Sequence, residues 1–426
     1  MKINDQFHRI FEKIQETPFI DTHEHFIDES ERLNCLKPFI QCDDWTTIFG
    51  LYSKFDFVSA GMPKSDVGAF TSSEIHPIDK WKIIEPYWHK VKYTGSGQVI
   101  QNTIKELYHI PQLSLEIIPE LEEKYQAYRK KGFYKETLRK ANVKSCIVNP
   151  PGRPFKETEL PEILYQDINA LGMININVEQ YNESILPKVS TLRDWLHIID
   201  WWFEKYSNQA VGVKIGNAYF RRLDFNRTDL ETVEPLFQDK LSGIKLSELE
   251  EKQIQDYIFW YVVELATQKG LPIKLHTGYQ AMNNMMILEN VMHNPADCAN
   301  LCRLSPDARF IFFHISYPYY EPMIALAKHY KNAFIDMCWS WTLNPMASID
   351  FLKKYILTAP VNKLLVFGGD DLYIENLMGH SILARKGIAH ALSELVQDQW
   401  ISERDSMEIA ERIMYKNTEE IYAIGD

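Results

Sequence analysis

Few cysteines, no long apolar run and no excess of basic charge mark this 426-residue sequence. The six cysteines, at 35, 42, 146, 298, 302 and 338, include no CxxC pair and lack the density of a disulfide scaffold. Cys298 and Cys302 stand at helical spacing and read as buried thiols. No apolar stretch approaches the length of a membrane-spanning helix. The N-terminal stretch MKINDQFHRIFEKIQETP is charged and amphipathic, without the apolar core of a secretory leader. With 46 basic and 58 acidic residues the net charge is −12, which argues against nucleic acid as a partner, because phosphate binding needs clustered positive charge. The one basic run, YRKKGFYKETLRKANVK, reads as a solvated helix and loop. No glycine-rich phosphate fingerprint, internal repeat or low-complexity segment is visible. These absences leave the expectation of a soluble, reduced, cytoplasmic protein that acts on a small molecule and touches neither nucleic acid nor membrane. A homo-oligomer is compatible with them.

What is present is a recurring alternation. Short β-like runs, FIDTHEH, VKSCIVNP, MININVE, AVGVKIG, PIKLHTG, RFIFFHIS, NAFIDMCW and LLVFGGD, are separated by amphipathic segments whose apolar residues recur at i, i+3 and i+4. Eight strands alternating with helices predict an α/β fold, a (β/α)8 TIM barrel occupying residues 1–426 as a single domain. The doubly wound open sheet is the competing architecture, without a dinucleotide fingerprint to support it.

The spacing is uneven in one place. Roughly 110 residues, from Asp28 to about Ala141, separate the first two strands, far more than a βα loop needs. Helical patterns within them predict an inserted, lid-like helical subdomain at about 29–141, leaving from the rim where barrel active sites are built. A lid there would bring groups such as Trp88, His89, Lys92 or Tyr93 to a substrate. A shorter insertion runs from Tyr219 to about Gly243.

The chemistry is concentrated at strand ends. In PFIDTHEHF, His23 and His25 lie two residues apart, so on a strand both imidazoles share one face about 6.6 Å apart and can converge on one ion. Lys214 ends the fourth run, His276 the fifth, His314 the sixth and Asp370 the eighth. Asp370 shares parity with Leu364, Val366 and Gly368, which makes it the preferred ligand over Asp371. Imidazoles and a carboxylate on one rim suit a divalent transition metal with an exchangeable water. Lys274 is a second inward lysine and reads as half of a barrel-filling ion pair. Arg153 in PPGRPF and Arg222 in YFRRL stand where they could hold a substrate carboxylate.

This pattern resembles the amidohydrolase superfamily, from DTHEH to FGGDD. The resemblance implies that His23, His25 and Asp370 bind the buried metal, that His276 and His314 are ligands or substrate-polarising groups, and that Lys214, if carboxylated, bridges two ions. It implies one or two divalent ions, zinc foremost, with Asp370 and His314 as catalytic groups and His23, His25, His276, Asp370 and Lys214 as the ligand set. Arg222, Arg153 and Trp339 are the expected substrate contacts. The segments KLHTGYQAMNN and MCWSW are similar to the layout of uronate isomerases, whereas His314 and the separate Lys214 depart from it. The expected activity is therefore metal-dependent hydrolysis of an amide, ester, lactone or related C–N bond. The alternative is a non-hydrolytic decarboxylase or uronate isomerase-like reaction on a carboxylate-bearing substrate.

Overall fold

The structure is a computed structural model that describes residues 5–34, 43–50, 53–181, 188–280 and 287–425. Cys35, Cys42 and residues 281–284 of the KLHTGYQAMNN segment lie outside the described residues. Eight parallel strands follow one another in chain order around a (β/α)8 barrel: β1 Phe19–Glu24, β2 Val143–Val148, β3 Leu164–Asn169, β4 Ala210–Ile215, β5 Ile273–Leu275, β6 Phe310–Phe313, β7 Ala333–Asp336 and β8 Leu364–Leu365. Backbone hydrogen bonds from Thr22 N to Phe367 O, Asp370 N to His23 O and His25 N to Asp371 O link the β8 end back to β1, each at 2.9 Å. These three bonds bring the histidine pair and Asp370 to the same end of the barrel.

Seven of the eight expected strands are present. The third is not MININVE: β3 lies earlier, at LYQDIN, and Met173–Glu179 falls across two short helices, Leu171–Ile174 and Val178–Tyr181. β-branched residues alone pointed to the later segment, but the earlier one supplies Asp167. That carboxylate lies 2.5 Å from Lys274 Nζ, and both side chains are fully buried. Lys274 Nζ also donates to Thr22 O at 2.8 Å. The barrel interior thus contains a buried charge pair in which the lysine also has a backbone acceptor, and the expected role of Lys274 is met.

Two apolar layers position these strands. The larger core joins strands to surrounding helices and includes Phe19, Leu364 and Val366. A smaller cluster includes Ile311, Phe313 and Leu365. Cys146, Cys298, Cys302 and Cys338 are free and buried. Among the described residues no helix is long and apolar enough to cross a membrane.

The first insertion carries several helices, including Pro77–Val91, Gly95–Tyr108 and Ile118–Tyr128. It sits against the β8 end: Gly50 adopts φ +59°, and a Cβ there would collide with the Asp371 carboxylate. The groups that meet this rim differ from those expected. Trp88 lies 5.7 Å from Phe49 in the insertion's own aromatic core, and Tyr93 is exposed. An amphipathic helix buries its aromatic stripe against its own subdomain first, which left the tight Trp45–Gly50 turn to approach the site.

Candidate metal centre

His23 ends β1 on the inner side, its ring stacked on Phe313 at 5.0 Å. His25 follows the strand, and the two imidazoles are 4.8 Å apart edge to face. Their Nε2 atoms lie 3.5 and 3.1 Å from Asp370 Oδ1. His25 Nδ1 is 3.1 Å from the Asn149 carbonyl, an arrangement that would keep the proton on Nδ1 and leave the Nε2 lone pair for an ion held between His25 and Asp370. Asn149 was not foreseen, because its contribution is a backbone atom.

Asp370 reaches this position by an irregularity. Leu365, not Leu364, packs with Ile311 and Phe313, so the strand parity used for Asp370 does not carry through from β8. The chain leaves the strand at Leu365, passes Gly368 and Gly369, and turns at Asp370 itself, which adopts φ +55°. A left-handed aspartate costs of order 1–3 kcal/mol and concentrates at functional sites. Gly369 lets the Glu24 carboxylate lie close to the chain here, where a Cβ would displace it. Glu24, the residue between the two histidines, points away from them and accepts the Asp371 N–H at 2.8 Å. Asp371 turns its carboxylate onto Leu372 N, Tyr373 N and Asn376 Nδ2 at 2.7, 3.2 and 2.9 Å, a local cap rather than a ligand position.

On the other flank, His314 Nε2 lies 3.1 Å from His276 Nδ1 and 3.6 Å from Asp370 Oδ2. His276 Nε2 is 3.2 Å from Tyr279 O. A carbonyl only accepts, so the relay has one neutral assignment: His276 donates from Nε2, its Nδ1 accepts from His314 Nε2–H, and His314 Nδ1 is left with a bare lone pair. His314, Ile315 and Ser316 all have positive φ, a turn that aims the imidazole inward. Trp339 packs edge-on to His314 at 5.7 Å.

The charges are consistent with a cation site. Burial, reinforced by the Lys214 charge, holds His23 well below the ordinary histidine range, and burial, reinforced by His276, does the same for His314. Burial and Lys214 push His276 down to about 3. Burial works against an ionised Asp370, but its contacts with His25 and His314 and the nearby Lys214 hold it well below the usual carboxylate range. Lys214 is buried over the Phe313 ring at 4.4 Å; desolvation lowers it to about 8, opposed by Asp370. Neutral His23, His276 and His314 beside an ionised Asp370 are protonation states that suit cation binding.

Among the described residues, two groups of donor atoms lie within 4.8 Å of one another: His23, His25 and Asp370, and His314, Cys338 and Asp370. Buried and without a hydrogen-bond partner are His23 Nδ1, His314 Nδ1 and Asp370 Oδ2. Imidazoles and a carboxylate gathered in two such groups, with buried polar atoms on His23, His314 and Asp370 left unsatisfied, form a donor set that fits a divalent ion. Cys338 is a residue the sequence argument passed over. It stands two positions after Asp336 at the end of β7, the same spacing as the histidine pair, and that repeat was the available signal. His276 belongs to neither group, and both its nitrogens are engaged, with Tyr279 O and His314 Nε2.

The family comparison decides the broader identity: the sequence profile described as amidohydrolase matches residues 196–424. The chain belongs to the amidohydrolase family. The protein fluG of Emericella nidulans is 24% identical to this amidohydrolase over 231 residues, 51% of this chain and 26% of that protein. The chain thus spans about a quarter of that relative's length. Among solved structures, the uronate isomerase of Thermotoga maritima superposes with a TM-score of 0.77 at 14% identity, covering 98% of this chain and 97% of that one. The glucuronate isomerase of Caulobacter crescentus gives 0.79 at 13% identity, covering 99% and 94%. At these identities the likeness shows the fold alone.

The two arginines lie elsewhere. Arg222 is held by Asp297 at 2.8 and 3.3 Å. Arg153 is exposed and lines a surface cleft with Trp202, Lys205 and Tyr206 of the helix Leu192–Tyr206. No hydrogen bond or ion pair joins either arginine to the histidine–aspartate group.

Proposed function

We propose that this amidohydrolase is a metal-dependent hydrolase of an amide, ester, lactone or related C–N bond in a small cytoplasmic substrate, with zinc as its ion. His23, His25 and Asp370 would hold the ion. When bound, it would supply a Lewis acid and lower the pKa of a coordinated water to about 7.

The observation that carries the reading is the division of labour within Asp370. Oδ1 faces both imidazole Nε2 atoms, while Oδ2 is buried without a hydrogen-bond partner. A carboxylate held through one oxygen keeps the other free, so Oδ2 accepts the proton of an attacking water and returns it to the leaving group. His314 has a more restricted part than the sequence suggested. In its neutral form Nδ1 is an acceptor, so it helps orient that water rather than donating to a carbonyl. The positive end for a developing oxyanion comes from Lys214, whose charge is retained by most molecules below about pH 8. Trp339 closes one wall beside His314. Arg153 and Arg222 remain as candidate holders of a distal substrate carboxylate.

A second reading is supported by the near-complete superposition on two sugar-acid isomerases. The same Lys214 could bind a substrate carboxylate, and Asp370 Oδ2 could move a carbon-bound proton. Metal-loaded enzyme incubated with amides, lactones and uronates in oxygen-18 water separates the two. Label in a newly formed carboxyl group supports hydrolysis. Product formed without oxygen-18, but with solvent deuterium at carbon when the reaction is repeated in heavy water, refutes it and supports proton transfer.

A further inference from the structure

A small cavity of about 40 Å³ lies where the insertion meets the end of the barrel. Its polar lining comprises Ser53, Ser96, Thr342, Asp371, Asn376 and His380. Three of these side chains carry buried polar atoms without a hydrogen-bond partner: both ring nitrogens of His380, Oδ1 of Asn376 and Oγ of Ser53. They come from two separate parts of the chain, the insertion and the helix Glu375–Gln397. Buried polar groups are almost always satisfied, so several orphans around one void mark a missing partner.

The chemistry of that partner follows from the atoms. A neutral imidazole offers one donor and one acceptor, and the serine hydroxyl offers both. Asn376 Nδ2 already donates to Asp371 Oδ2 at 2.9 Å, so its free Oδ1 only accepts. An anion would face the lone pairs of Asn376 and His380, and a cation would face the N–H of His380. A neutral molecule that both donates and accepts matches all of them. At about 10–15 Å³ for each water centre, the volume has room for about three or four waters.

We propose that this cavity is a built hydration site, in which ordered water bridges His380, Asn376 and Ser53 and joins the insertion to the turn carrying Asp370. That turn is reached through Asn376 Nδ2 to the carboxylate of Asp371, the residue after Asp370, whose carbonyl in turn accepts from His25 N at 2.9 Å. His380 thus has a structural part, separate from the ion-binding group and independent of which reaction that group performs.

A high-resolution crystal structure of the metal-loaded protein, with and without xenon pressure, tests the site directly. Ordered waters within hydrogen-bond distance of His380 and no xenon are expected. An empty cavity, or one that takes up xenon, overturns the proposal. Urea unfolding of His380→Leu gives an independent measure. If water bridges the site, the leucine strands Ser53 and Asn376, and the unfolding midpoint falls. If the cavity is dry, removing an unsatisfied imidazole leaves the midpoint unchanged or raises it, which would also overturn the proposal. His380→Asn, which keeps a donor and an acceptor, should retain at least one ordered water and lie nearer to wild type.

Discussion

Replacing Arg32 with methionine should cost this protein about 3–5 kcal/mol of stability, because it would leave buried carboxylates without their partner. Arg32 is fully buried, and its guanidinium makes two 2.7 Å contacts with Glu375, two of 3.0 and 3.1 Å with Asp43, and one of 2.7 Å with Tyr125 Oη. Asp43 and Tyr125 belong to the insertion, whereas Glu375 opens the long helix that follows Asp370 and Asp371. The arginine therefore fastens the insertion to the barrel at the chain segment that presents the metal centre. Methionine keeps much of the volume and removes every donor. Asp43 retains Arg129 at 2.8 Å, so the uncompensated charge falls mainly on Glu375. Adding Glu375→Leu should then recover a large part of the loss, since an apolar pair can replace a buried ion pair at little cost. Urea unfolding followed by far-UV circular dichroism measures both variants, with Arg9→Ala in the exposed Arg9–Glu403 pair as a control expected to leave the midpoint unchanged. A loss below about 1 kcal/mol for Arg32→Met, the range of exposed pairs, would refute the reasoning, as would further destabilisation by the second substitution.

The double substitution His23→Ala, His25→Ala should abolish stoichiometric metal and activity while leaving the barrel folded; metal content by plasma mass spectrometry checks it, and retained metal would count against the site. Lys214→Ala should leave metal content intact and lower kcat at least tenfold, whereas loss of one metal equivalent, or bicarbonate-dependent metal loading of the wild type, would indicate a carboxylated lysine bridging two ions. Chelation should remove activity, and zinc should restore it when readded; restoration by another divalent ion alone would correct the metal. Burial raises Asp336 to about 7, so between about pH 4 and 7 the folded chain holds a proton that the unfolded chain has released, and this group's contribution to stability falls as pH rises, by at most about 1.4 kcal/mol per unit. Asp336→Asn removes that slope, so its stability relative to wild type should increase from pH 5 to pH 7, as urea midpoints at the two values would show.

The sequence by itself determined the strand–helix alternation, the histidine pair and the place of the long insertion, because period-two and period-3.6 patterns are local consequences of which faces are buried. His23 and His25 could be assigned to one point from their spacing of two at the end of a strand, although β1 itself stops at Glu24. The sequence also marked Lys274 as an interior charge. The carboxylate that neutralises it was hidden, because Asp167 sits on a strand whose mixed polarity resembles a loop until the barrel closes around it. Asp370 was named for a parity that ends at Leu365. Only tertiary structure decided its orientation, through two glycines and a left-handed turn held by hydrogen bonds to β1. The His314–His276–Tyr279 relay, the Asn149 carbonyl behind His25 and the nearness of Cys338 to Asp370 likewise depend on where separate strand ends meet. Those meetings are set by closure of the sheet over hundreds of residues, and no local period records them.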